Sequence, residues 1–223
     1  MKKVIIFVTN HATLGSTDQA NGTYAPELTH VVNVLNGAGI DYDIASILGG
    51  KAPLYGTEPD GDEVNQSVLG HSGFVSKVEN TLLAASVNID DYDAVFYPGG
   101  FGLLNDLFED TTVAALSAQH YEHGGVIAAV CHGPAGLLPI KLSNGELLLS
   151  SVSVTGFTRE EEVDFGTIND IPFLLEDALA RKAVQYSKKQ PWQSFVVEDK
   201  RVITGQNPAS AHAVGEALVK SLS

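Results

Sequence analysis

The sequence predicts an α/β fold built on a doubly wound, mainly parallel sheet with helices on both of its faces. Three observations carry this expectation. Short apolar runs recur along the 223 residues, the stretches between them keep helical spacing, and most of the runs are apolar at consecutive positions. Strands apolar on both faces suit a sheet covered on both sides, and their alternation with helices favours parallel strand–helix–strand units. No shift in composition marks a second domain, so residues 1–223 read as one domain.

The first strand is KVIIFVT (3–9), followed by a helix over PELTHVVNVLNGAG (26–39) that opens on Pro26 and closes on glycine. YDIASI (42–47) is the second strand, VSKVENTLLAASV (75–87) the next helix and DAVFYPG (93–99) the third strand. A helix over TTVAALSAQHYEHGG (111–125) leads into the fourth strand, GVIAAVC (125–131), and SVTGFT (153–158) supplies a fifth. Near the end, SFVVEDKRVITG (194–205) sets two β-rich runs around a polar turn, the pattern of a hairpin, and PASAHAVGEALVKSL (208–222) is the closing helix. The polar stretch 49–66 reads as a long loop, of a length that often serves as a lid.

Charge and composition narrow the function. Lys and Arg number 13 against 27 Asp and Glu, a formal charge of −14. That balance argues against nucleic acid, because phosphate binding needs clustered positive charge. No run approaches the roughly 18 apolar residues that span a membrane. The apolar run Val4–Val8 is too short for the core of a signal peptide, and one cysteine cannot form an internal disulfide. The expectation is a cytoplasmic protein without nucleic-acid or membrane partners.

In an open α/β sheet, ligands gather beyond the carboxyl ends of the strands. Thr9–Asn10, the 98–102 turn, Cys131–His132 and Thr155–Thr158 are therefore expected around one crevice. Cys131, in VCHGPAGLL, lies between a strand and an apparent helix start, a position that lowers a thiol's pKa and favours a nucleophile over a packing residue. The strand–Cys–His–Gly turn is analogous to the sharp turn that exposes a hydrolase serine, and His132 is placed to exchange protons with the thiol or a substrate.

The loop YPGGFG (97–102) lets the N–H groups of Gly99 and Gly100 converge on a developing oxyanion, with Phe101 beside them. It fails as a dinucleotide fingerprint, having no third glycine in register. Glu27 opens the first helix and faces the same crevice. Of Glu160, Glu161 and Glu162, at most one is expected to turn inward and orient His132. HYEH (120–123) lacks the spacing of a metal motif and is assigned to a surface helix end, so no metal or other cofactor is expected.

In order along the chain, APELTH, YPGGFG, AVCHGPAGLL, VTGFTREEE, PFLLEDAL and ITGQNPASAHAV resemble the ThiJ/PfpI superfamily, and within it the heat-shock-associated, glutathione-independent glyoxalases. The resemblance implies a flavodoxin-like domain, similar to class I glutamine amidotransferases, with Cys131 as nucleophile, His132 beside it and Glu27 touching the thiol. The third acid behind the histidine is then Glu162, with Glu161 as the alternative. One departure stands out: many members carry His where this chain has Phe101, which makes the loop more apolar. The implied reaction converts methylglyoxal, or a similar 2-oxoaldehyde, to the 2-hydroxy acid without cofactor. A cysteine amide hydrolase or protein deglycase would use the same pair, and a non-enzymatic stress chaperone or redox sensor would need an exposed apolar surface or an oxidisable thiol. The sequence leaves open whether the chain pairs as a homodimer.

Overall fold

The computed structural model describes residues 2–223. In chain order its elements are β1 (Lys3–Val8), β2 (Thr23–Tyr24), α1 (Ala25–Gly37), β3 (Asp41–Ser46), β4 (Leu54–Tyr55), α2 (Glu63–Leu69), α3 (Ser72–Glu79) and β5 (Leu82–Leu83). They continue with β6 (Ala94–Tyr97), α4 (Thr111–Glu122), β7 (Val126–Val130), β8 (Ser153–Val154), α5 (Arg159–Phe165) and α6 (Leu175–Lys182). β9 (Gln185–Tyr186), β10 (Val196–Asp199), β11 (Val202–Gly205) and α7 (Ala211–Ser221) complete the chain. Seven strands form the central sheet in the order β10-β11-β7-β6-β1-β3-β5. All neighbouring pairs are parallel except β10 with β11, the expected hairpin.

Consecutive apolar residues do what the sequence reading requires of them, since each strand feeds two cores. Ile5 and Phe7 of β1, Val95 and Tyr97 of β6, and Ile127 and Ala129 of β7 pack on one face with α4 and α6. Val4, Ile6, Val8, Ala94, Phe96, Ala128 and Val130 pack on the other, under α1, α3 and α7. Helix α1 earns its place through Leu28, Val31, Val32 and Leu35, which fall at helical spacing on its buried side. Its N-terminus therefore points Glu27 at the carboxyl end of the sheet.

Three expectations about elements need correction. Residues 75–87 are not one helix: α3 stops at Asn80, which leaves helical geometry, and Leu82–Leu83 pair with β3 as the edge strand β5. The run 153–158 is not a fifth strand of the main sheet. Only Ser153–Val154 is extended and paired, with β9 in a separate two-stranded sheet, because Thr155 onward turns to reach the site. The stretch after Cys131 is a short 3-10 segment, Gly133–Leu137, rather than an α-helix. The 49–66 loop holds β4, which pairs with β2, and the start of α2.

Helix α5 is short and depends on its cap. Thr158 Oγ1 accepts from the Glu161 N–H at 3.1 Å, and Glu161 Oε2 accepts in return from the Thr158 N–H at 3.0 Å, a capping box. Thr158→Ala should lower stability by about 1 kcal/mol, a fall in Tm of roughly 2–4 °C for a chain of this size. Thermal unfolding followed by circular dichroism reads it, and an unchanged Tm would mean that the box is dispensable.

Candidate active site

Strand β7 ends at Val130, and Cys131, the next residue, adopts φ 59°. A β-carbon in this left-handed region costs of order 1 kcal/mol. The turn is held on both sides: the Cys131 N–H donates to the Gly205 carbonyl at 2.9 Å, and its own carbonyl accepts from the Phe157 N–H at 2.9 Å. The strained turn swings the side chain out of the strand into a crevice of about 240 Å³, where Cys131 and His132 form the floor.

His132 is fixed from three directions. Its ring lies between those of Phe101 and Phe157, each with centroids 4.5 Å away. Nε2 lies 2.7 Å from Glu162 Oε1, and the other oxygen of Glu162 accepts from Thr167 Oγ1. With Nε2–H donated to the carboxylate, the lone pair of Nδ1 faces the Cys131 sulfur at 3.5 Å. The Cys–His–Glu line thus has the geometry in which a histidine removes a thiol proton while an acid holds its tautomer.

Glu27 reaches the sulfur from the other side. It is fully buried and neither oxygen has a partner in ordinary hydrogen-bond geometry. Burial pushes its pKa up to about 8; the Cys131 thiol and the Gly99 N–H beside it offset this only in part. At neutral pH it is a protonated acid. Gly99 makes the approach possible, since a β-carbon there would stand 2.0 Å from Glu27 Oε2 and 2.7 Å from the Cys131 β-carbon. Gly100, at φ 119°, packs against Gly22 and Thr23, and Phe101 is the member of the loop that lines the crevice.

The thiol differs from expectation. Burial first, then the nearness of Glu27, then Glu161 and Glu162, push the Cys131 pKa well up. The five-residue 3-10 segment gives too small a dipole to oppose three acids. At rest the sulfur is a thiol that must lose its proton during reaction.

Two further expectations are corrected. Both Glu161 and Glu162 are buried, not one at most. Glu161 accepts from Thr158, from the Trp192 N–H at 2.8 Å, from Gln206 and from Asn207 Nδ2 at 2.7 Å, so it ties α5 to the 189–193 loop and the turn after β11. It makes no contact with His132 in this network. His120 of HYEH is buried against Gly125, not at the surface, and burial lowers its pKa; only His123 is exposed, paired with Asp90.

Thr9 and Asn10 are engaged elsewhere. The Thr9 hydroxyl and the Asn10 N–H donate to Asp106 at 2.7 and 2.8 Å, away from the sulfur. Their place in the crevice is taken by residues the sequence did not single out: Tyr24, Tyr55, Phe165, Trp192 and Pro208. Tyr55 comes from the 49–66 segment, which builds a wall. Trp192 carried a usable signal, as the only tryptophan, set among polar residues in KKQPWQS. No group of three or more His, Cys, Asp or Glu able to hold a metal ion occurs among the described residues, and no described helix is long and apolar enough to cross a membrane.

The pattern of the DJ-1/PfpI family matches residues 19–221. The glutathione-independent glyoxalase HSP31 of Saccharomyces cerevisiae is 29% identical over 234 residues, which cover 99% of this chain and 98% of that one. Among solved structures, the Rapid Encystment Protein 24 KDa of Francisella tularensis superposes with a TM-score of 0.95 at 34% identity over the whole of both chains. Glyoxalase III of Candida albicans does so with a TM-score of 0.87 at 25% identity, covering 99% of this chain and 97% of that one.

Proposed function

We propose, for a chain that belongs to the DJ-1/PfpI family, a glutathione-independent glyoxalase that converts methylglyoxal or a similar 2-oxoaldehyde to the 2-hydroxy acid through a covalent bond to Cys131. The observation that carries this reading is the position of one sulfur between the buried, unpartnered Glu27 carboxyl group and Nδ1 of His132. Relatives named as a glutathione-independent glyoxalase and as glyoxalase 3 support it.

The chemistry follows from the protonation states. As Sγ bonds to the aldehyde carbon, its proton passes to His132 Nδ1, and Glu27 gives its proton to the aldehyde oxygen. The product is a hemithioacetal beside an imidazolium, which Glu162 steadies, and a Glu27 carboxylate. That carboxylate then takes the proton from the first carbon while His132 protonates the neighbouring carbonyl oxygen, forming an enediol. Glu27 returns its proton to the second carbon and the first hydroxyl gives its own back to His132, which leaves a thioester. Water attacks the thioester, losing a proton to Glu27, and His132 protonates the departing sulfur. The acid is released and every group regains its resting state.

The Cys131 thiol stands in for a free thiol such as glutathione, and the proton transfers need no metal or redox partner. Glu27, rather than the Gly99 and Gly100 N–H groups expected from the sequence, serves the aldehyde oxygen in this scheme, and the Gly99 N–H steadies Glu27 as it ionises. The test is formation of lactate from methylglyoxal by purified protein with chelator present and no glutathione. Turnover supports the reading, and its absence under conditions where the protein is folded contradicts it.

A further inference from the structure

We propose that the crevice selects uncharged dicarbonyls that carry an aryl or similarly bulky apolar group, with Trp192 and Phe165 as the residues that set this preference. The proposal rests on the reading of Cys131 as a carbonyl nucleophile and goes further in naming the substrate class. About 240 Å³ of space lies over the sulfur, room for roughly eight waters at ~30 Å³ each. A three-carbon substrate would leave most of it wet.

The walls are a continuous set of rings. Phe101 stands 5.8 Å from Phe165, Phe165 stands 6.3 Å from Trp192, and Trp192 meets Phe157 edge-on at 5.7 Å. Phe165 is 57% exposed and Trp192 41%, so the rim presents apolar faces open to solvent among the described residues. An aryl group between them would complete edge-to-face contacts already half built.

The backbone gives an independent reason. Trp192 has φ 64°, a conformation that glycine or asparagine adopts far more cheaply than a bulky residue. It is kept there by its N–H to Glu161 Oε1 at 2.8 Å and its indole N–H to Asp164 Oδ2 at 3.2 Å. A strained, doubly anchored indole is a wall set in place before the ligand arrives, which lowers the ordering cost of binding. Glu161 is in this sense a positioning residue.

Charge sets the other boundary. Among the described residues no lysine or arginine lines the crevice, and Glu27, Glu161 and Glu162 are buried near the Cys131 sulfur. A substrate carboxylate would enter without a cationic partner and against the negative charge of Glu161 and Glu162.

The sole tryptophan makes the test direct, because intrinsic indole fluorescence reports on this wall alone. Titrations of the full chain would compare acetylbenzoyl, an uncharged aryl diketone, with diacetyl and with the anion benzoylformate. Acetylbenzoyl should bind at least roughly tenfold more tightly than either. In Phe165→Ala, a change at an exposed side chain, that ratio should fall by about threefold or more. Trp192→Ala, followed by calorimetry, should bring it towards one.

Diacetyl or benzoylformate binding as tightly as acetylbenzoyl, or ratios unmoved in both variants, would overturn the proposal. Turnover of phenylglyoxal and methylglyoxal separates it from the reading beneath it. Methylglyoxal turnover without any aryl preference removes the selectivity alone. An intact binding preference with no turnover of either aldehyde upholds the selectivity and removes the glyoxalase reading.

Discussion

Cys131→Ser is expected to lose glutathione-independent turnover by at least about 10³-fold while keeping the fold. The substituted hydroxyl fits the space of the thiol, and the elbow depends on backbone bonds to Gly205 and Phe157 that the change leaves alone. What is lost is the nucleophile. An alcohol beside Glu27 and His132 ionises far less readily than a thiol, and its adducts with aldehydes do not lead to a thioester. The measurement is lactate formation by wild type and variant, with circular dichroism as the control for folding. Retention of more than about a tenth of the activity would be incompatible with covalent catalysis, given the ~10²-fold or larger losses usual for essential groups.

Glu27→Gln has the second largest expected effect, and it acts on two observables in opposite directions. The amide keeps the shape and a donor but cannot shuttle a proton, so turnover should fall by about 10² or more. Stability should change the other way at alkaline pH. Folding raises the carboxyl pKa from an ordinary 4.5 to about 8, so the folded chain holds a proton that the unfolded chain has released. Stability from this group is therefore complete below about pH 4.5 and is lost as pH rises through about 8. Cys131 titrates with it as a pair, the thiol ionising at higher pH than usual. The variant should lack this slope and hold its Tm better than wild type between pH 6 and about 8.5. Parallel loss of Tm in both proteins would mean that Glu27 is ionised at neutral pH, and near-normal turnover would remove it from the mechanism.

The legible parts of this molecule are those written in local pattern. Apolar runs such as Val4–Val8 state that both faces are covered, and each alternate residue indeed enters a different core. Cys131 was visible because a strand meets a Cys-His-Gly-Pro turn. From local pattern alone Glu27 reads as a helix-start acid facing the crevice; its contact with the thiol came only from the family resemblance, since it depends on the absence of a side chain at Gly99, far along the chain.

Tertiary context decided the rest. The run 75–87 has enough helical spacing to pass for one helix, yet an open sheet edge beside β3 recruits Leu82–Leu83 as a strand. A charge run such as Glu160–Glu162 normally faces solvent. Here two of its members are buried because the donors that satisfy them, His132, Thr167, Gln206 and Asn207 among them, come from segments 5 to 46 residues away in sequence. The direction of the thiol pKa was missed for the same reason. The sequence displays the turn, whereas the three acids around the sulfur are assembled only by the fold. The aromatic walls likewise come from separate stretches, with Tyr24, Tyr55, Phe165 and Trp192 meeting only across the crevice.

The central claim is a carbon–sulfur bond to Cys131 during turnover. The most direct measurement is rapid acid quenching of wild type with excess methylglyoxal in chelator, intact-mass analysis, and peptide mapping of any adduct. A population heavier by one substrate, located at Cys131, is expected to appear before lactate and to decay as substrate is exhausted. Full turnover with an unmodified Cys131 at every quench time, or an adduct that forms and never turns over, would contradict it.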